Sequence, residues 1–86
     1  AEREAGRAMT LVDVREPFEW ELGRIDGARL IPLGELPARL GELDSRQAIV
    51  AYCQRGTRSR RAAEILRAAG FTDVRSLSGG IEAWGG

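Results

Sequence analysis

The sequence contains no histidine and no lysine, and it has a single cysteine, Cys53. One cysteine cannot form a disulfide within the chain, and without histidine it cannot build a Cys/His zinc site. The imidazole base that usually activates a serine or cysteine nucleophile is also missing. Any nucleophile in this chain must therefore be activated by backbone dipoles and arginine.

The charges balance, with thirteen arginines and thirteen acidic residues among 86 residues. A net charge of zero provides no field that attracts nucleic acid or an anionic membrane, so we expect neither as a partner. No apolar run approaches the roughly 20 residues of a membrane span, and no signal-peptide pattern begins the chain. These features predict one small cytoplasmic domain over residues 1–86.

Four β-rich runs alternate with helical patterns at short intervals. The predicted strands are residues 11–14, 28–31, 48–52 and 74–77, and the third is apolar throughout. One helix is predicted from Pro17, a last short one ends at Trp84, and two others bury stripes of Leu36, Leu40 and Leu43 and of Ala62, Ile65, Leu66 and Ala69. This alternation predicts an α/β fold with a small, open, mainly parallel sheet of four to five strands and helices on both faces.

The strongest candidate site is Cys53 with the loop that follows it. Ligands of open α/β sheets bind beyond the carboxyl ends of the strands, where Cys53 lies just before a helix. Backbone N–H groups of such a loop can point inward, and the helix N-terminus adds partial positive charge. The candidate residues are Cys53 as nucleophile and Gln54, Arg55, Gly56, Thr57, Arg58 and Ser59 around it. We expect a thiolate with a lowered pKa.

Plainer interpretations exist for each of these residues. Free cysteine is often a small buried hydrophobe, and arginine is usually a solvated surface charge. Of the two loop arginines, Arg58 is the better candidate for the pocket. Asp13 and Arg15 follow the first strand at the same rim, where they either form an ion pair that supports the loop or are exposed.

Further side chains are assigned to packing. Trp20 and Trp84 are interpreted as core or rim residues. Gly79 and Gly80 are interpreted as a closely packed helix start rather than a phosphate-binding loop.

Five segments of the chain, taken together in order, resemble the rhodanese superfamily over residues 11–84. They are Leu-Val-Asp-Val-Arg-Glu-Pro at 11–17, Gly-Arg-Ile-Asp-Gly-Ala at 23–28 with Ile-Pro-Leu at 31–33, Tyr-Cys-Gln-Arg-Gly-Thr-Arg-Ser at 52–59, Gly-Phe-Thr-Asp-Val at 70–74, and Leu-Ser-Gly-Gly-Ile-Glu-Ala-Trp at 77–84.

The resemblance implies transfer of sulfane sulfur. The Cys53 thiolate would take the outer sulfur of thiosulfate and release sulfite, and the persulfide would be cradled by the N–H groups of residues 54–58. Cyanide or a thiol would then remove the sulfur, with a protein acceptor left open. Arg58, and less securely Arg55, would hold the sulfonate of the anionic donor. No metal or organic cofactor is implied.

The chain also departs from the family pattern. Arg24 and Asp26 replace the usual His and Pro of the second segment. Only ten residues precede the first signature, so we expect the N-terminal edge strand to be missing or shortened.

Two other functions stay open at this point. A cysteine phosphatase would place five residues between Cys and Arg, whereas four separate Cys53 from Arg58, which argues against that chemistry. The other alternative is a sulfur-delivery or interaction domain of a larger protein.

Overall fold

This computed structural model describes residues 9–84, and its strands there are β1 (Met9–Asp13), β2 (Arg29–Leu30), β3 (Ala48–Tyr52) and β4 (Val74–Ser76). They form one parallel sheet in the order β2-β1-β3-β4. The central pairing runs from Met9 opposite Ala48 to Asp13 opposite Tyr52. The predicted small, open, parallel α/β sheet is therefore confirmed.

The strand boundaries differ slightly from the prediction. The first strand begins at Met9, two residues before the predicted start, and ends at Asp13. The second is only two residues long. The expected shortening of an N-terminal edge strand concerns the residues before Leu11, of which residues 1–8 lie outside the part that the structure describes.

Within residues 9–84, three α-helices and one 3₁₀ helix connect and follow the strands. They are α1 (Pro17–Leu22), the 3₁₀ helix (Leu33–Glu42), α2 (Thr57–Ala68) and α3 (Gly80–Trp84). None of the helices in residues 9–84 combines the length and the apolar character needed to cross a bilayer.

The second helix is 3₁₀ in type, although its leucine spacing of three and four residues suited an α-helix. Pro37 lies inside it and has no N–H to donate, and glycines at 34 and 41 weaken α-helical preference. The predicted apolar face is nevertheless used, because Leu36 and Leu43 are buried and Leu40 packs against the core.

The core is formed by the sheet, α2 and the 3₁₀ helix. It includes Val12 and Ile49 from the strands and Ala62 and Leu66 from α2, all fully buried. One predicted core position was wrong, since Ala69 is exposed just beyond the end of α2. The buried face of the helix instead runs back to Ser59, which brings its first turn onto the end of β3.

Candidate active site

Cys53 lies at the carboxyl edge of the sheet, directly after β3, and its side chain is 1% exposed. Because all four strands are parallel, the ends of the neighbouring strands meet at the same edge. Asp13 ends β1 and Ser76 ends β4, on either side of β3. The sheet therefore gathers at one place residues that are far apart in sequence.

Three polar groups, two backbone N–H groups and one hydroxyl, surround the sulfur of Cys53. The Gly56 N–H and the Ser59 N–H point at Sγ, with N–S distances of 3.0 and 3.4 Å. The Ser59 hydroxyl lies 3.7 Å from the same sulfur. Gly56 immediately precedes α2 and has a positive φ of 110°, which allows the turn that aims these groups inward.

These contacts change the pKa of the Cys53 thiol. Burial by itself raises the pKa of Cys53, but hydrogen bonds from Ser59, Gly56 and the Arg55 N–H outweigh it, so that the pKa is lowered from its ordinary value. The helix N-terminus contributes in the same direction, because its unpaired N–H groups favour negative charge. The site thus stabilises a thiolate without histidine.

The ultraviolet absorbance of the thiolate should rise with pH through a midpoint below that of the unfolded chain, about 8.5. Because the folded pKa is the lower one, the ionised thiol adds stability in full above the unfolded pKa and loses it as the pH falls through the folded pKa. A titration of folded and guanidinium-unfolded protein, with Cys53→Ser as the blank, measures both midpoints. A folded midpoint at or above the unfolded one would contradict the prediction.

The short helix α3 orients the loop from outside. The Ile81 N–H donates to the carbonyl oxygen of Cys53 at 2.9 Å, and the Glu82 N–H donates to that of Gln54 at 3.2 Å. With these two carbonyl groups directed at α3, the following N–H groups are left to face Sγ. Gly80 makes the approach feasible, because a Cβ there would lie 2.5 Å from backbone atoms of Cys53 and Gln54.

Asp13 and Arg15 form a buried ion pair beside this loop. The Asp13 carboxylate accepts hydrogen bonds from the Arg15 guanidinium at 2.8 to 3.1 Å, and the two side chains are 0% and 3% exposed. Arg15 Nη1 also donates to Gln54 Oε1 at 3.0 Å. The pair therefore contacts the side chain of the residue after Cys53, without touching the sulfur.

The two loop arginines are not free cations. Arg58 makes a two-pronged ion pair with Glu19, at 2.7 and 2.8 Å. Arg55 is 80% exposed, and its Nε lies 3.4 Å from Glu82 Oε2. Thr57 is exposed at the first position of α2. The structure thus brings Gly56 and Ser59 to the sulfur and directs both arginine side chains to carboxylates.

Residues outside the predicted set complete the surroundings. The Ser76 hydroxyl lies 2.6 Å from that of Ser59, which in turn donates to the Gly56 carbonyl oxygen at 3.1 Å. Gln54 Nε2 donates to Glu82 at 3.1 Å. A serine at the end of a short strand and glutamates on two short helices carry no local pattern that marks them for a site.

A cavity of about 570 Å³ opens next to the loop. Gln54, Arg15 and Glu19 form part of its wall. The same cavity is bordered by three large apolar side chains that are 67%, 83% and 54% exposed, those of Phe18, Leu22 and Trp84. Trp84 is therefore a rim residue rather than a core residue, and the rim is markedly apolar.

Comparison with known proteins connects this geometry to a family. The family model for the rhodanese-like domain matches residues 1–86. A rhodanese-related protein from Thermoplasma volcanium has a solved structure that superposes with a TM-score of 0.84 at 35% identity, covering 95% of this chain and 81% of that one.

Curated relatives include both small proteins and large ones. YqhL of Bacillus subtilis is 48% identical over 93% of this chain, and the thiosulfate sulfurtransferase GlpE of Shewanella oneidensis is 36% identical over 91%. The probable adenylyltransferase/sulfurtransferase MoeZ of Mycobacterium tuberculosis is 42% identical over 94%. The chain spans 64% of the length of YqhL, 77% of GlpE and 21% of MoeZ. With its fold, its sequence and the family-model match over residues 1–86 in agreement, the chain belongs to the rhodanese-like domain family.

Proposed function

We propose that this domain is a sulfurtransferase that carries sulfane sulfur as a persulfide on Cys53. The observation that carries the proposal is the convergence of the Gly56 and Ser59 N–H groups on Sγ, at 3.0 and 3.4 Å. Such donors stabilise a thiolate before the reaction and a persulfide anion after it. The sulfurtransferase names of MoeZ and GlpE support the same class of reaction.

The first half-reaction loads the cysteine. The Cys53 thiolate attacks the outer sulfur of thiosulfate, a new S–S bond forms, and the S–S bond of thiosulfate breaks. Sulfite leaves with the electron pair of that bond, so that a thiolate and a dianion become a persulfide anion and a dianion. In the second half-reaction, cyanide or a thiolate attacks the outer sulfur and returns Cys53 to the thiolate.

The loop residues have distinct parts in this scheme. Gly56 and Ser59 hold the sulfur, while Gln54 links the loop to the Asp13–Arg15 pair that supports it. Thr57, at the first position of α2, and the loop N–H groups would border the space for the transferred sulfur. Arg58, and less directly Arg55, supply the guanidinium groups that an oxyanionic donor would engage.

Loading of the cysteine is tested by intact mass. Incubation with thiosulfate, followed by removal of the donor, should add one sulfur atom, about 32 Da, to the wild type and nothing to Cys53→Ser. Cyanide should discharge the adduct and yield thiocyanate. A folded wild type that gains no mass would contradict thiosulfate as the donor.

A second candidate is a delivery domain that passes sulfur to a protein acceptor. The apolar rim of Phe18, Leu22 and Trp84 supports it, because exposed apolar patches commonly mark protein contacts. The domain loaded with a Cys53 persulfide distinguishes the two functions. If reduced thioredoxin discharges it faster than an equal concentration of a small dithiol does, delivery to a protein is favoured. Equal rates favour a free enzyme.

A further inference from the structure

The guanidinium of Arg58 is already bound to a carboxylate. Glu19 Oε1 and Oε2 accept from Arg58 Nη1 and Nη2 at 2.7 and 2.8 Å, which is the fork-to-fork arrangement that an oxyanionic substrate would also need. Arg58 immediately precedes Ser59, whose N–H contacts the sulfur. The Glu19 carboxylate therefore occupies the guanidinium of the residue next to Ser59.

Glu19 is well fixed in this position. Its side chain is 14% exposed, and Oε1 also accepts from the Glu16 N–H at 2.9 Å. The hydrogen bonds from Arg58 lower the pKa of Glu19 to about 2, so the carboxylate stays charged throughout the physiological range. Glu19 also lines the cavity beside the loop, where an approaching donor would meet it.

Two other arginines that contact the loop or belong to it are also paired with carboxylates. Arg15 binds Asp13, and Arg55 lies against Glu82. These three arginines and three carboxylates cancel in charge, so the three pairs give a dianion little net attraction. Arg24, which lines the cavity beside the loop, stacks on the Trp20 ring instead. To bind the Arg58 guanidinium, thiosulfate must displace Glu19. If it does not, it binds near the negatively charged carboxylates of Glu19 and Glu82, which line the cavity.

We propose that Glu19 is a specificity-determining residue that disfavours oxyanionic donors by holding Arg58, and that it favours sulfane sulfur on an organic persulfide. The proposal rests on the sulfurtransferase function. With such a donor, the Cys53 thiolate attacks the outer sulfur of R–S–SH, the S–S bond of the donor breaks, and R–S⁻ leaves as Cys53–S–SH forms. No sulfonate needs a guanidinium in this reaction.

Glu19→Gln tests the proposal, because glutamine keeps the shape and one acceptor oxygen but removes the charge. The variant should lower KM for thiosulfate about tenfold with kcat nearly unchanged, since a freed Arg58 can bind the sulfonate. Its kcat/KM for 2-hydroxyethyl persulfide, which has no oxyanion group, should change less than about twofold. Glu21→Gln is the matched control: the same charge is removed from an exposed residue of the same helix, and neither constant should move.

Binding separates this proposal from the proposed function. In a Cys53→Ser background, which cannot form a persulfide, Glu19→Gln should tighten thiosulfate binding about tenfold by calorimetry. Unchanged thiosulfate binding overturns the role of Glu19, whether or not the wild type turns over. An equal gain in kcat/KM for thiosulfate and for 2-hydroxyethyl persulfide also overturns it. Tighter binding supports it, even where the wild type gains no sulfur by mass and thiosulfate fails as the donor.

Discussion

Gly80→Ala is expected to lower the rate of sulfur transfer about a hundredfold, because it displaces the loop that holds the sulfur. The new Cβ would lie 2.5 Å from the carbonyl oxygen of Cys53 and from the carbonyl carbon and oxygen of Gln54. These are backbone atoms with little room to move. Either α3 must withdraw and give up its hydrogen bonds to both carbonyl groups, or the loop must turn, and each change misaligns the N–H groups around Sγ.

The same substitution should also destabilise the fold by about 2–4 kcal/mol, from overpacking together with the left-handed backbone at residue 80. Gly70→Ala is the matched control, because Gly70 also has a positive φ but a Cβ there meets nothing within 4 Å. It should lose some stability and keep its rate of sulfur transfer. Steady-state kinetics and urea unfolding of both variants measure the two effects, and a fully active Gly80→Ala would contradict the assigned role of α3.

Asp13→Ala is expected to reduce the free energy of unfolding by about 3–5 kcal/mol, a large part of the stability of a small domain. The substitution leaves the guanidinium of Arg15, 3% exposed, without its carboxylate. The remaining acceptors, Gln54 Oε1 and the Gly23 carbonyl oxygen, are uncharged. A buried cation whose hydrogen-bond acceptors are all neutral must either attract water to the edge of the core or move outward, and Gln54 would lose its position in both cases.

Denaturant unfolding measures this loss, and Asp44→Ala provides the comparison. Asp44 pairs with Arg46, which is 89% exposed, so that breaking this solvent-screened pair should leave the unfolding free energy almost unchanged. Equal losses in the two variants would show that burial of the Asp13–Arg15 pair has no special effect.

The sequence was sufficient to predict the parts of the site that follow from one strand and the turn after it. An apolar strand ending in Cys53, followed by glycine and a helical pattern, predicts a sulfur at the sheet edge near a helix N-terminus. Parallel strands also place Asp13 at that edge. The positions of these residues in the structure agree with the sequence pattern, because they depend on local pattern and on one rule of sheet geometry.

The contacts between distant elements could not be predicted in this way. Glu19 and Arg58 are 39 positions apart, and their pairing depends on how the fold brings the first turn of α2 to Glu19 of α1. Ser59 meets Ser76 only because β3 and β4 are neighbours. The resemblance to rhodaneses implied that Arg58 would hold the sulfonate of the donor. In the structure, the Glu19 carboxylate of α1 already binds the Arg58 guanidinium.

The contact of α3 with the loop has a consequence for the order of events during folding. The carbonyl groups of Cys53 and Gln54 find their donors in Ile81 and Glu82, about thirty positions later in the chain. The thiol therefore reaches the environment described above only when α3 has docked. A chain in which α3 has not docked carries an ordinary, mostly protonated cysteine, which resists oxidation better than a thiolate does. Before α3 docks, the sulfur is thus less prone to oxidation than in the folded domain.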